Sequence, residues 1–321
     1  MIDVGIIGGA GYTAGELLRL LVFHPAVKIR FVQSSSQAGS PVHQVHRDLE
    51  GLTDLRFTPD LPQLPDVLFL CSGHGKSADF LARQALPDSV RIIDLSSDFR
   101  LGCPDNGFVY GLPELSAPAI RSAHRIANPG CFATAIELAL LPLVREGWIR
   151  QAVHVHAITG ATGAGQQPTE TTHFSWRDNN VSLYKPFRHQ HLAEIRMALR
   201  QVSPSGMADI LFVPIRGNFS RGIFASLYTD VQAELPDIQS VYQDFYKEAP
   251  FTRVSRYAPA LKQVVQTNHC ILHLEKIEGK LLITSILDNL LKGAAGQAVQ
   301  NMNLLFGLPQ PTGLQLKPAG F

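Results

Sequence analysis

The sequence has few cysteines, no excess of either charge and no long apolar run, and each shortage excludes a class of protein. Its four cysteines, Cys71, Cys103, Cys131 and Cys270, show no CxxC spacing, which argues against a disulfide framework and a zinc site. No metal is expected. Lysine and arginine number 28 against 27 acidic residues, with neither a basic stripe nor an acidic tail, so nucleic acid is not an expected partner. No apolar stretch reaches the roughly 20 residues that span a bilayer, and the chain opens on a strand pattern without a basic leader. Membrane is therefore not an expected partner, and the cytoplasm is the expected compartment. Internal repeats and low-complexity segments are also missing. At 321 residues the chain exceeds the usual size of one core, so two domains are expected.

The first hundred residues alternate between strand and helix patterns. Residues 3–7 are a β-branched run, followed by GGAGYTAG at 8–15 and a helical pattern carrying Leu17, Leu18, Leu20 and Leu21. Gly8, Gly11 and Ala14 keep a GxxGxxA spacing, in which small residues let a backbone approach a pyrophosphate and a helix pack closely on a sheet. A tight strand-to-helix turn with no ligand is the alternative. Residues 28–33, 66–71 and 90–94 read as further strands and 77–85 as a helix, the series an open parallel sheet requires. CSGHG at 71–75 and DLSSD at 94–98 then fall at strand ends, where a dinucleotide lies in such sheets.

Cys131 follows Asn128-Pro129-Gly130 and precedes an apolar helix pattern over 133–144. Pro129 cannot continue a strand ladder and Gly130 tolerates unusual backbone angles, so a sharp turn delivers the thiol to the positive end of the helix, where a thiolate is favoured. A buried cysteine capping a core helix is the competing reading. Beyond it, strand patterns at 152–158, 209–215, 222–231, 270–274 and 281–287 are longer and hairpin-like, suiting a mixed or antiparallel sheet with helices on one face. A final helix is expected over 289–305, its small residues permitting close packing. Residues 163–180 are the nearest thing to a linker. His189 and His191 flank Gln190 just before a helix pattern, and Glu194 stands three residues past His191 on the same face. An imidazole oriented by a carboxylate shuttles protons near neutral pH; a surface pair is the alternative.

GGAGYTAGELLRLL at 8–21, DLSSDFRL at 94–101, VYGLPEL at 109–115, NPGCFATA at 128–135, TGATGAG at 159–165, HQHLAEI at 189–195, GNFSRGI at 217–223 and DNLLKGAAGQAVQNMN at 288–303 together resemble the N-acetyl-gamma-glutamyl-phosphate reductases of arginine biosynthesis, in their type 1 form. The resemblance implies an α/β protein: a Rossmann-like NADP-binding domain over 1–127 with 289–321, and an α+β catalytic and oligomerisation domain over 128–288, the whole forming a homo-oligomer, dimer or tetramer. It implies NADPH-dependent reduction of a small-molecule acyl phosphate to a semialdehyde through a thioester on Cys131. His191 with Glu194 would be the acid–base pair, His189 remaining a competitor, and Asn128, Arg100 and Arg221 would bind substrate. Gly8, Gly11, Tyr12, Thr13, Ala14, Ser34, Ser35, Ser36, Cys71, Gly73, Ser96 and Asn289 would line the cofactor.

Three alternatives stand beside this reading: aspartate-semialdehyde dehydrogenase, a carrier-protein-linked reductase of lysine biosynthesis, and a sensor that binds NADP without turnover. NADP(H) is expected over NAD(H), because Gln33 is followed by Ser34, Ser35 and Ser36 where NAD-selective sheets place an acid. The family's arginine after these serines is missing, with Lys76 as a possible substitute. Residues 173–187 depart from common members: they line the N-acyl pocket or build a subunit contact, and Arg177, Lys185 or Arg188 is open to receiving a succinyl carboxylate.

Overall fold

The computed structural model describes residues 1–203, 206 and 208–320, and these fall into two compact units. One is Met1–Gly130 with Ala294–Gln315, the other Cys131–Gly293 with Leu316–Phe321. The fold is α/β, with one parallel and one mixed sheet. No described helix is long and apolar enough to cross a membrane.

The first unit runs β1 (Ile2–Ile7), α1 (Tyr12–Leu21), β2 (Val27–Gln33), α2 (Val42–Val45), β3 (Phe57–Thr58), β4 (Val67–Leu70), α3 (Lys76–Arg83), β5 (Arg91–Asp94), β6 (Val109–Tyr110), α4 (Pro113–Ser122) and β7 (Arg125–Ala127). Its strands lie in the order β3-β2-β1-β4-β5-β7-β6 and every pairing is parallel. Parallel strands buried on both faces need apolar side chains throughout, which Val67–Leu70 supplies, all four residues being buried. The strand order reverses direction at β1 and β4, and ligands bind such sheets beyond the carboxyl ends at that point.

The second unit opens with α5 (Cys131–Arg145), followed by β8 (Val153–Thr159), α6 (Phe174–Arg177), β9 (Ser182–Leu183), α7 (His191–Arg200), β10 (Ile210–Arg216), β11 (Ile223–Asp230), α8 (Leu235–Tyr246), β12 (Thr252–Ser255), β13 (Cys270–Ile277) and β14 (Lys280–Leu287). Its sheet is ordered β12-β13-β14-β11-β8-β10-β9; β8 with β10 and β12 with β13 are parallel, the other pairings antiparallel. Alternation sorts the faces. Val155, Leu227 and Ile283 share one register across three strands and are buried, with α5 packed on β11 and β14. On the other face Val264 and Leu261 cover Phe224, Ile271 and Ile286, while His156 remains exposed.

Three expectations are corrected. Residues 163–180 are no linker but a folded part of the second unit, holding α6. The Arg177 guanidinium fixes it by donating to the carbonyls of Thr171, Asn180 and Arg216 and to Ser182 Oγ, so Arg177 is already engaged and is no receptor for an acyl cap. The last helix, α9 (Ala295–Leu305), begins six residues later than its pattern suggested. Asp288 accepts from the backbone N–H groups of Leu290 and Leu291 with its carboxylate and from Gly293 with its carbonyl, and this turn replaces the first helical residues.

Helix α9 returns to the first unit, against α1 and α4, with amide side chains where apolar ones would be expected. Asn301 Nδ2 donates to Gly111 O at 2.8 Å and to Asn128 Oδ1 at 3.0 Å, and Asn128 Nδ2 donates to Ala294 O. Asn303 donates to the carbonyls of Gln310 and Thr312 while its oxygen meets His24 Nε2. Buried amides are tolerated only when bonded in this way. Replacing Asn301 with Ala strands two buried acceptors and is expected to cost about 1–3 kcal/mol, read as a lower urea midpoint at unchanged slope; an unchanged midpoint would show that the network contributes nothing.

Candidate active site

In the first unit the turn after β1 meets the loop after β4. Gly8 has φ +78°, and a side chain there would strike the backbone of Ser72, 2.6 Å away. Glycine is therefore required for the two loops to touch. Gly11 caps α1 without a side-chain bond, and the first turn of α1, which carries Tyr12, Thr13 and Ala14, has no acidic residue. A Cβ added at Gly11 would meet nothing within 4 Å. Open space before an uncapped helix end suits a phosphate group, so these residues fit a dinucleotide. Gly73, φ +91°, likewise faces open space.

Gln33 ends β2 and donates to Ser35 Oγ and Pro59 O, while its oxygen accepts from the Gly8 N–H. Ser34 and Ser36 hydroxyls lie 3.4 Å apart. Arg56 donates to Gly39 O at 2.8 Å, on the loop that these serines begin; an arginine arriving from a neighbouring strand was not singled out in the sequence. Ser96 is turned inward, its hydroxyl donating to Asp94 and accepting from the Asp98 N–H. Burial, and secondarily Asp94, pushes the Cys71 thiol up, which disfavours its thiolate. Arg100 is buried, donating to the carbonyls of Asn128 and Leu95. Arg100 is thus bonded to the Asn128 backbone within the first unit.

In the second unit Cys131 is the first residue of α5 and half-buried. A Cβ on Gly293 would stand 2.7 Å from the Cys131 Cβ, so this glycine leaves room for the thiol-bearing residue. Phe132 begins an aromatic wall. Its ring packs on His189 at 5.4 Å, His191 at 6.3 Å and Phe212 at 5.1 Å, and Tyr184 packs on both Phe132 and His189. Both histidines are buried, as is Glu194 in the first turn of α7.

The two histidines are not equivalent. His189 Nδ1 accepts from the backbone N–H of His191 at 3.2 Å, which places the proton of the neutral ring on Nε2. Burial first, then the charges of Lys185 and Arg216, lower its pKa to about 4. His189 is therefore a neutral, fixed ring at neutral pH. The segment leading to it is conformationally tense: Asn179, Lys185 and Phe187 all have positive φ, a state costly for residues with side chains.

The segments TGATGAG and GNFSRGI are zipped together by bonds from Gly160, Ala161 and Thr162 N–H groups to the carbonyls of Gly222, Phe219 and Ser220. Asn289 joins them, accepting from the Gly222 N–H at 2.7 Å and donating to Thr162 Oγ1. It lies in the second unit, bound to these loops. Arg221 makes a two-pronged pair with Asp288, both contacts 3.1 Å. The sequence reading passed over Arg216, whose guanidinium lies 4.6 Å over the Tyr184 ring. Its signal was a charge on the inward register of an alternating strand, after Ile210, Phe212 and Pro214.

Both units match one class of enzyme. Residues 3–123 match the family described as semialdehyde dehydrogenase, NAD binding domain, and residues 131–289 that described as semialdehyde dehydrogenase, dimerisation domain. The fold resembles aspartate semialdehyde dehydrogenase II of Vibrio cholerae (TM-score 0.72, 18% identity, 96% of this chain and 98% of that one) and the NADP-bound aspartate semialdehyde dehydrogenase of Candida albicans (TM-score 0.75, 12% identity, 95% and 99%). Over their entire lengths, the N-acetyl-gamma-glutamyl-phosphate reductases of Parabacteroides distasonis and Christiangramia forsetii are each 54% identical to this sequence. The chain belongs to the N-acetyl-gamma-glutamyl-phosphate reductase family of semialdehyde dehydrogenases.

His189 gives a pH signature. Its pKa is lower in the fold than in the unfolded chain, so the unfolded state binds more protons and stability falls as pH drops from about 6.5 towards about 4. Burial also lowers His24 and His269, which add to the same slope. Denaturant midpoints measured between these limits are expected to fall, and to fall less in His189→Gln; equal slopes would contradict the neutral, buried ring.

Proposed function

We propose that the chain reduces an N-acyl-gamma-glutamyl phosphate with NADPH, releasing phosphate and an N-acyl-glutamate 5-semialdehyde, as a cytoplasmic homo-oligomer. The observation that carries this reading is Cys131 at the start of α5, given room by Gly293 and followed directly by the ring wall of His189 and His191. The N-terminal end of a helix favours thiolate over thiol. The thiolate attacks the acyl carbonyl carbon, the bond from carbon to phosphate oxygen breaks, and phosphate leaves with the electron pair, so that a thioester remains on Cys131. NADPH, when bound, would supply the hydride that reduces the thioester. His191, held at the head of α7 with Glu194 in the same turn, donates a proton to the oxygen that gains charge and removes it again as the carbon–sulfur bond breaks and the thiolate returns. His189 orients the wall but stays neutral, which favours His191 as the acid. Backbone N–H groups at the start of α5 serve the developing oxyanion. Arg221, expected at the substrate, is held in place by its two-pronged pair with Asp288.

Gly8, Gly11, Tyr12, Thr13 and Ala14 hold the pyrophosphate, with Cys71, Gly73 and Ser96 shaping the neighbouring strand ends. Ser34, Ser35 and Ser36 meet the 2′-phosphate, and Arg56 supplies the cation that the sequence pattern lacked. Oligomer formation is supported by the half-exposed Leu211, Val213 and Tyr228 on the mixed sheet's outer face.

The test is phosphate-dependent reduction of NADP⁺ by N-acetyl- or N-succinyl-glutamate 5-semialdehyde. Turnover is expected in the wild type and its loss in Cys131→Ser, with His191→Asn lowering kcat about 10²–10⁴-fold. No turnover with any semialdehyde would leave a cofactor-binding sensor, and a larger loss in His189→Asn would reverse the assignment of the two rings. Ser35→Asp is expected to move kcat/KM towards NAD(H), since a carboxylate repels the 2′-phosphate and accepts from a ribose hydroxyl. Equal or better wild-type kcat/KM with NADH would refute the serine and Arg56 argument.

A further inference from the structure

A buried guanidinium in the second unit has no ion-pair partner among the described residues. Arg216 is only 9% exposed. Its side chain makes one hydrogen bond among the described residues, from Nη1 to Ala161 O at 3.3 Å, and otherwise rests on the Tyr184 ring. No carboxylate among the described residues forms an ion pair with it. Arg221 has Asp288 and Arg177 has three carbonyls and a hydroxyl, so the second unit does supply partners to other arginines. Buried charges are ordinarily paired. Here the surroundings add like charge, because Arg216 acts on Arg177, and Arg216 and Lys185 both act on His189.

We propose that Arg216 is the receptor for a substrate carboxylate, at the end of the molecule remote from the acyl phosphate. This rests on the reductase reading above. The phosphate is bonded to the carbon that Cys131 attacks, so its receptor must stand at the thiol. Arg216 is joined to the neighbourhood of the thiol through one aromatic ring: Tyr184 packs on Phe132, the residue after Cys131, and also carries the guanidinium. On a glutamyl chain the groups several bonds from the reacting carbon include carboxylates, and a guanidinium in this neighbourhood receives one of them. A guanidinium fork with unused donors matches two carboxylate oxygens, and a lysine ammonium does not. The carboxylate has two sources, the α-carboxylate of the glutamyl group or the free acid of a dicarboxylic N-acyl cap such as succinyl.

The experiment compares wild type, Arg216→Gln and Arg216→Lys on N-acetyl- and N-succinyl-glutamate 5-semialdehyde, each as the free α-acid and as the α-amide. Wild-type turnover is measured first, so failure of the reductase reading appears there and not in the variants. Arg216→Gln is expected to lower kcat/KM about 10²-fold on the best acid, mainly through KM, with Lys restoring only part. The loss is expected to shrink below about threefold on whichever analogue lacks the recognised group. Insensitivity of the α-amides identifies the α-carboxylate; insensitivity of the N-acetyl compounds identifies the cap. Should Arg216→Gln fail to fold, Arg216→Lys carries the same comparison with a loss of about tenfold. Equal losses on all four compounds would overturn the proposal.

Discussion

The site in the second unit depends on a steric condition at Cys131. Its Cβ packs where a side chain on residue 293 would have to be, and only glycine leaves that space. Gly293 is in turn placed by the Asp288 carbonyl, which accepts its N–H, while the Asp288 carboxylate receives the backbone N–H groups of Leu290, Leu291 and Gln266 and both prongs of Arg221. One fully buried residue thus places Gly293 through its carbonyl and Arg221 through its carboxylate. The first unit has its own steric condition at Gly8, where the loop after β4 takes the space of a side chain.

Electrostatics divides the labour within the ring wall. His189 is desolvated, flanked by Lys185 and Arg216, and has its Nδ1 committed to a backbone N–H, so it holds geometry without changing charge at neutral pH. Burial raises the Tyr184 hydroxyl against the opposing charge of Arg216, which leaves the phenol neutral. Two neutral rings, Tyr184 and His189, with Arg216 and Lys185 acting on them favour an anionic ligand over a neutral one, because burial weakens the screening of the field.

Much of this was legible in the residues. The βα alternation, the GxxGxxA turn and the NPGC segment act through local backbone geometry, and local geometry is written in adjacent residues. The start of α9 was misread because a side chain at Asp288 competes with the helix for N–H groups, which periodicity alone does not register. Residues 163–180 looked like a linker because their cohesion comes from Arg177 reaching carbonyls at separations of up to 39 residues. Arg56 and Arg216 were missed for a related reason: each becomes meaningful through what a neighbouring strand or ring brings beside it. His189 and His191 were both visible, yet their inequality lies in one hydrogen bond and in burial.

The central claim is that Cys131 carries the acyl group. Mixing the enzyme with N-acetylglutamate 5-semialdehyde and NADP⁺ in the absence of phosphate halts the reverse reaction at the thioester, and intact-protein mass spectrometry followed by peptide mapping reads it. The account predicts one equivalent of NADPH and one acyl adduct located on Cys131, released when phosphate is added. Steady NADPH formation with unmodified Cys131, or an adduct on Cys71, Cys103 or Cys270, would contradict it.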